Sequence, residues 1–234
     1  MSIAEKLTTI ANNEQKVYDA GYNKGYQAYI DLIWDALQDK GARTDYKKAF
    51  YNWDKFKECF KPKYDIKPVG SVSEMFADIN QYVSIPTLCE SQGIEMNFSL
   101  ATEFRNMLYK SAIWRIGIVD CTSATSLIYA FNNASSLTTI DKLIVHEGIT
   151  MYTYCFANTT QLQNLTIEGV IAGDGLSVSA HTGLTHDSLM SIINALKDYS
   201  GTTTTKTVTL GATNLAKLTD AEKAIATDRG WTLA

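Results

Sequence analysis

The 234-residue sequence lacks the features that identify several large classes of protein. No apolar run approaches the roughly 20 residues of a membrane-spanning helix, so we predict no insertion into a membrane. A net charge of -4 leaves no surplus of Lys and Arg for phosphate contacts, which disfavours binding to nucleic acid. The first residues lack a basic segment followed by an apolar one, so no export signal is predicted.

Residues that usually carry catalysis or bind metals are few and poorly spaced. The four cysteines have no CxxC spacing typical of zinc or redox motifs, and we predict buried thiols. His181 and His186, next to Asp187, are five residues apart and lack the spacing and third ligand of a zinc site. Glu147 and Asp120 could lie on one face of the predicted repeat stack, like the paired acids of a glycoside hydrolase, but such pairs often arise by chance. We therefore predict no catalytic residue, no cofactor and no metal ion, and so a protein that is not an enzyme.

What the sequence does contain is a spaced set of apolar residues that recurs about every 25 positions. One copy is Met107, Ile113, Ile116 and Ile118; another is Phe156, Leu162, Leu165 and Ile167; Phe131, Leu137 and Ile140 lie between them; and a weaker first copy is Phe76, Tyr82 and Ile85. Such a period predicts stacked units, each covering the apolar face of its neighbour. The β-branched stretches inside the units are predicted strands.

The density of charged residues falls near Pro68, which predicts a domain boundary there. Residues 1–67 carry 22 charged side chains, whereas the much longer remainder carries only 24. The predicted parts are an N-terminal helix for oligomerisation or attachment (1–40), an aromatic and charged connector (41–68), the repeat domain (69–184) and a C-terminal cap (185–234). Within the connector, a short helix from Asp45 to about Cys59 is predicted.

The predicted N-terminal helix begins with a capping box formed by Ser2 and Glu5. It has a narrow apolar stripe at heptad-like spacing, made of Ile3, Leu7, Ile10 and Val17. Two interpretations stay open: the stripe is the seam of a short parallel coiled coil between copies of the chain, or the helix folds back on the rest of the protein.

The last fifty residues have the signals of helices and strands in alternation. Thr185 can cap a helix that runs to about Leu196, and Thr219 with Glu222 forms a second capping box. Thr- and Val-rich residues 202–210 and the terminal residues 231–233 are predicted strands. A stack of repeats needs such a cap because its last unit would otherwise expose an apolar face.

Two segments carry a recognisable repeat unit: 129–140 (YAFNNASSLTTI) and 154–167 (YCFANTTQLQNLTI). Each has a Phe, a small polar turn and a Leu-x-x-(Ile or Leu) step, and each resembles the repeat of BspA-like leucine-rich-repeat proteins. The overall layout, including 189–198 and 230–233, is similar to proteins from phages and prophages of gut Firmicutes. These patterns together predict an α+β fold: a long N-terminal helix, then a short irregular leucine-rich-repeat solenoid with an α/β C-terminal cap.

The resemblance implies a role in recognition, for which two hypotheses stay open. The first is a phage structural protein of the tail or adhesion apparatus, located in the virion, which presents its repeats for host recognition. Its partners would be further copies in a homo-oligomer such as a trimer, other virion proteins, and a host surface glycan or protein. The alternative is a bacterial cell-surface adhesin or protein-interaction module of the same class. The missing export signal, which secreted family members carry, favours the virion.

Overall fold

The computed structural model describes residues 46–53, 55–62 and 64–234. Short helices and strands are interspersed along this part of the chain, with four strands in succession in its middle. In order they are α1 (Phe56–Cys59), β1 (Val69–Ser71), α2 (Ile85–Gln92), β2 (Leu100–Glu103), β3 (Arg115–Asp120), β4 (Thr139–Val145), β5 (Asn164–Gly169), α3 (His186–Ala195), β6 (Lys206–Val208), α4 (Ala212–Leu215), α5 (Asp220–Asp228) and β7 (Trp231–Leu233). The strands form three parallel sheets, β1-β2, β3-β4-β5 and β6-β7.

The fold class predicted from the sequence is wrong. We predicted α+β with a leucine-rich-repeat solenoid, whereas the described part is mixed α/β, with short helices and small parallel sheets. The physical reason is connectivity: parallel strands need crossover connections, and here these are turns within the central sheet and short helices before and after it. The predicted long N-terminal helix, with its seam at Ile3, Leu7, Ile10 and Val17, lies outside the described residues.

The 25-residue period of the sequence corresponds to the step between neighbouring strands of the central sheet. Ile116 of β3 pairs with Ile140 of β4, which pairs with Leu165 of β5. These three side chains are buried, while the residues that alternate with them are partly or fully exposed. Outside the sheet, the Phe131 and Phe156 rings stack with centroids 5.4 Å apart and planes 9° apart. Most residues of the apolar period therefore build a column of core side chains, whereas two of its members, Tyr82 and Ile118, are 69% and 52% exposed.

Helices cover both edges of the central sheet. At the β3 edge, α2 begins at its N-cap Ser84, and Gly117 gives Pro86 room, since a Cβ there would lie 3.1 Å from the Pro86 ring. At the β5 edge, serine hydroxyls of α3 accept the backbone hydrogen bonds that a further strand would otherwise accept. Ser188 Oγ accepts a hydrogen bond from Leu165 N at 2.9 Å, and Ser191 Oγ accepts one from Ile167 N at 3.1 Å. Edge N–H groups that would otherwise be open for pairing are thereby satisfied.

The local signals near the C-terminus are largely confirmed. Thr185 caps α3, and the capping box of Thr219 and Glu222 begins α5. The terminal strand is present as β7, but only Lys206–Val208 of the predicted strand at 202–210 pairs in a sheet. The longest described helix, α3, has 10 residues, and no helix in the described ranges combines the length and apolarity of a bilayer crossing.

One buried hydroxyl gives a prediction about stability. The Tyr152 side chain is 1% exposed, and its OH has no hydrogen-bond partner within the described chain; burial also raises its pKa. Since an unsatisfied buried hydroxyl costs about 1–3 kcal/mol, Tyr152→Phe is expected to raise the free energy of unfolding by about 1–2 kcal/mol in urea denaturation. The exposed Tyr154→Phe serves as control, with almost no change. A clearly less stable Tyr152→Phe protein would contradict the prediction.

Candidate functional site

Five seven-residue turns of the same conformation stack along one edge of the molecule. They span residues 46–52, 72–78, 104–110, 127–133 and 152–158, and each has positive φ at its third and seventh residues. All ten non-glycine residues with positive φ in the described part occupy these two places. Half of the ten are Asn or Asp, the residues that tolerate this conformation best after glycine.

Backbone hydrogen bonds join successive turns. Between the fourth and fifth turns, for example, Phe131 N donates to Cys155 O at 2.9 Å and Asn133 N to Ala157 O at 2.8 Å. The first turn lies where the sequence predicted a helix from Asp45 to about Cys59, so that prediction is wrong outside α1. The sequence pattern aligned Met107 with Phe131 and Phe156. In the structure those phenylalanines lie two residues after the first positive-φ residue of their turns, and the residue at that place in the third turn is Leu108.

Tyrosines fill the first positive-φ place in the last two turns and stack on each other. The Tyr129 and Tyr154 rings have centroids 5.1 Å apart and planes 19° apart, and Tyr154 is 57% exposed. The other three turns have Lys48, Glu74 and Asn106 at this place. The backbone therefore accepts several side chains here, and folding does not require an aromatic residue.

A guanidinium extends the column of rings. Arg105, in the third turn, is exposed and lies with Cζ 5.1 Å from the Tyr129 ring centroid. We call Arg105, Tyr129 and Tyr154 the tyrosine ladder. The last three turns contain one further cation, Lys110, and no Asp or Glu, although the whole chain has a net charge of -4. Among the described residues, neither Arg105 nor Lys110 takes part in an ion pair.

Side-chain amides run beside the ladder at the second positive-φ place. Asn158 Nδ2 donates to Asn133 Oδ1 at 3.0 Å, and Asn133 Nδ2 donates to Asn132 Oδ1 at 3.1 Å. An amide has two N–H donors and one acceptor oxygen, so the exposed Asn158 keeps a donor and its carbonyl oxygen for other partners. The edge thus combines aromatic rings, amides and cations, which suits recognition of a polar ligand with an apolar face.

A small cavity between α2 and β3 is less suited to binding. Its volume is about 190 Å³, and its lining is mostly apolar. Asp141 is the charged residue in the lining, and it already accepts two bonds from Arg115, at 2.8 Å from Nε and 3.0 Å from Nη2. Because that carboxylate is engaged, no free polar group directs a ligand into the cavity.

The two histidines considered as metal ligands, His181 and His186, each contact a different group of the protein. His181 is buried, and its Nε2 lies 2.9 Å from Phe156 O, so the neutral ring carries its proton on Nε2; burial lowers its pKa. His186 is half-exposed, with Nε2 2.9 Å from Glu222 Oε1, and Asp187 lies 3.8 Å from its other nitrogen. Within the described ranges, no three His, Cys, Asp or Glu side chains are grouped to hold a metal ion.

The acidic pair considered from the sequence has separate structural roles. Glu147 forms an ion pair with Lys197 at 2.8 Å, and that contact lowers the pKa of the carboxyl. Asp120 accepts a hydrogen bond from Thr122 N at 3.0 Å. Each carboxylate is thus engaged with its own neighbour.

Three of the four cysteines are buried thiols, as predicted. Cys89, Cys121 and Cys155 are buried, and Cys59 is half-buried. Burial raises the pKa of Cys89 to about 11 and raises those of Cys121 and Cys155 as well. Thiols held neutral in this way are poor nucleophiles.

The tyrosine ladder was missed at the sequence level, although a signal was present. Tyr129 and Tyr154 are 25 positions apart, and each precedes its buried Phe by two residues. The period was followed through the apolar residues only, and nothing in the sequence indicated that the preceding place faces outward. Comparisons of the chain with models of known protein families, with curated proteins and with solved structures found no match.

Proposed function

We propose that this protein is a non-enzymatic recognition module that binds its ligand along the edge formed by the seven-residue turns. The observation that carries the proposal is the stack of the half-buried Tyr129 on Tyr154, whose side chain is 57% exposed. Aromatic side chains bury large areas at low entropic cost and are enriched among the residues that dominate binding energies.

The backbone at the ladder strengthens this argument. Tyr129 and Tyr154 have φ of 58° and 57°, a conformation that costs a non-glycine residue of their size about 1 kcal/mol or more. Asn106 occupies the same place in the third turn with φ of 56° at a smaller cost. Tyr129 is half-buried and Tyr154 is exposed. Retaining two strained aromatic residues on this surface, where asparagine would fit, favours a role in binding over a role in folding.

The resemblance to BspA-like proteins of phages and prophages suggests a biological setting. In this proposal the protein is a structural component of the phage tail or adhesion apparatus, located in the virion and present in several copies. Many weak contacts, one set per copy in a homo-oligomer, would then add up to firm attachment to a host surface glycan or protein. The alternative setting is the surface of a bacterial cell, where the same edge would serve an adhesin.

The test uses labelled full-length protein on a panel of intact cells of gut Firmicutes. Substituting both ladder tyrosines, Tyr129→Asn with Tyr154→Asn, is expected to reduce bound fluorescence about tenfold or more, as for loss of dominant interface residues. Asparagine suits the positive-φ backbone, so the fold should persist.

The matched control is Tyr82→Asn, which removes a tyrosine that is 69% exposed, stacks on Trp114 and belongs to none of the five turns. This control should bind cells like the original protein. The proposal would be wrong if the double variant kept full binding, or if the original protein bound none of the cells.

A further inference from the structure

We infer that the ligand of the tyrosine ladder is an acidic oligosaccharide, with one sugar ring stacked on Tyr154 and the carboxylate or phosphate of another unit held by Arg105 and Lys110 at the other end of the ladder. This inference rests on the proposed function and adds the chemical class of the ligand. It depends on three groups found together in the last three turns: stacked rings, free amide valences, and cations without carboxylate partners.

The stacking surface is the ring of Tyr154. One face of this ring is covered by Tyr129, and the side chain remains 57% exposed. In the next unit, the place held by tyrosine in the fourth and fifth turns, two residues before His181, is occupied by the exposed and small Ser179. The C–H groups on one face of a sugar ring can pack against such a flat aromatic surface, while the phenol O–H stays available for hydrogen bonding.

The amides select for hydroxyl groups. Asn158 keeps one N–H and its carbonyl oxygen free, and a vicinal pair of sugar hydroxyls can accept from the first and donate to the second. An acidic peptide would offer few such hydroxyl pairs. A nucleic acid would need many cations along its backbone, and these turns carry two.

The cations select for negative charge. Arg105 and Lys110 lie in one turn, and each is positioned over an aromatic ring, at 5.1 Å from Tyr129 and 5.2 Å from Tyr109. With no acid in the last three turns, an anionic ligand gains charge-assisted hydrogen bonds without displacing a resident carboxylate.

The experiment is an array of immobilised saccharides read with the full-length protein. It pairs oligogalacturonate with its methyl ester, which keeps the sugar rings and removes the charge, and adds a glucosylated poly(glycerol phosphate) teichoic acid, which carries both sugar rings and phosphates, and neutral dextran. The oligogalacturonate or the teichoic acid should be bound about tenfold more tightly than the neutral probes, and binding should weaken between about 50 mM and 500 mM NaCl. Which of the two acidic probes binds distinguishes carboxylate from phosphate.

Variants connect this binding to the ladder. Arg105→Gln with Lys110→Gln should abolish the preference for acidic probes, whereas Lys142→Gln, on the outer face of the sheet where it pairs with Glu168 at 2.6 Å, should retain it. Equal or stronger binding to neutral probes, absence of binding to every probe, or stronger competition by poly-glutamate or poly(dT) than by oligogalacturonate and teichoic acid would overturn the inference. Cell binding that depends on Tyr129 and Tyr154 would still support the proposed function in each of those cases.

Discussion

Replacing Phe156 with alanine is expected to lower the free energy of unfolding by about 3–5 kcal/mol, the usual cost of deleting a buried phenyl ring. The Phe156 side chain is 1% exposed and lies between two neighbours of the same column. Phe131 stacks on one side at 5.4 Å, and His181 contacts it edge-on at 6.2 Å. Alanine would leave a cavity and remove contacts to the units on both sides. The backbone hydrogen bonds between successive turns hold those units apart, so the cavity cannot close. Urea denaturation measures the loss.

Phe156→Leu is the matched control for this substitution. The third turn already holds Leu108 at the corresponding place, so leucine fits the backbone, and the expected loss is roughly 1–2 kcal/mol. If Phe156→Ala cost less than about 1 kcal/mol, the column of rings would contribute far less to stability than its burial implies.

Removing the two serine hydroxyls that cover the β5 edge is expected to cost about 2–4 kcal/mol. In the double variant Ser188→Ala with Ser191→Ala, Leu165 N and Ile167 N lose the acceptors that lie 2.9 and 3.1 Å away. Each unpaired buried amide costs about 1–3 kcal/mol, and the better helix propensity of alanine returns only about 0.5 kcal/mol per site. Hydrogen exchange should accelerate at these two amides, and urea denaturation should give the total loss.

Ser135→Ala is the control, because Ser135 is exposed in a connection between a turn and a strand. Its stability should stay within about 0.5 kcal/mol of the original protein. Unchanged protection of Leu165 and Ile167 in the double variant would show that other groups satisfy the edge.

Local signals in the sequence predicted local structure well. The caps at Thr185 and Thr219 depend on contacts between residues three apart, which any sequence displays directly. The step between strands was also predictable, since Ile116, Ile140 and Leu165 must all be apolar to face one core.

Features that depend on distant contacts were not predictable in this way. The chain after Ser84 becomes a helix although Arg115, the residue that pairs with Ser84, begins a strand, and this helix covers the edge of β3. The first turn escaped detection because Tyr46–Asn52 reads as a charged and aromatic helix. Its backbone is instead fixed by hydrogen bonds to the second turn, such as Phe50 N to Met75 O at 2.9 Å.

The seven-residue turn separates what holds the chain from what faces outward. Its buried places must stay apolar, yet its first positive-φ place already accommodates lysine, glutamate, asparagine and tyrosine on one backbone. Single substitutions there alter the chemistry of the edge while the rings beneath keep their packing. Under the proposed function, a lineage of such proteins would follow a changing target by exchanging one residue per layer, with no need to rebuild the scaffold.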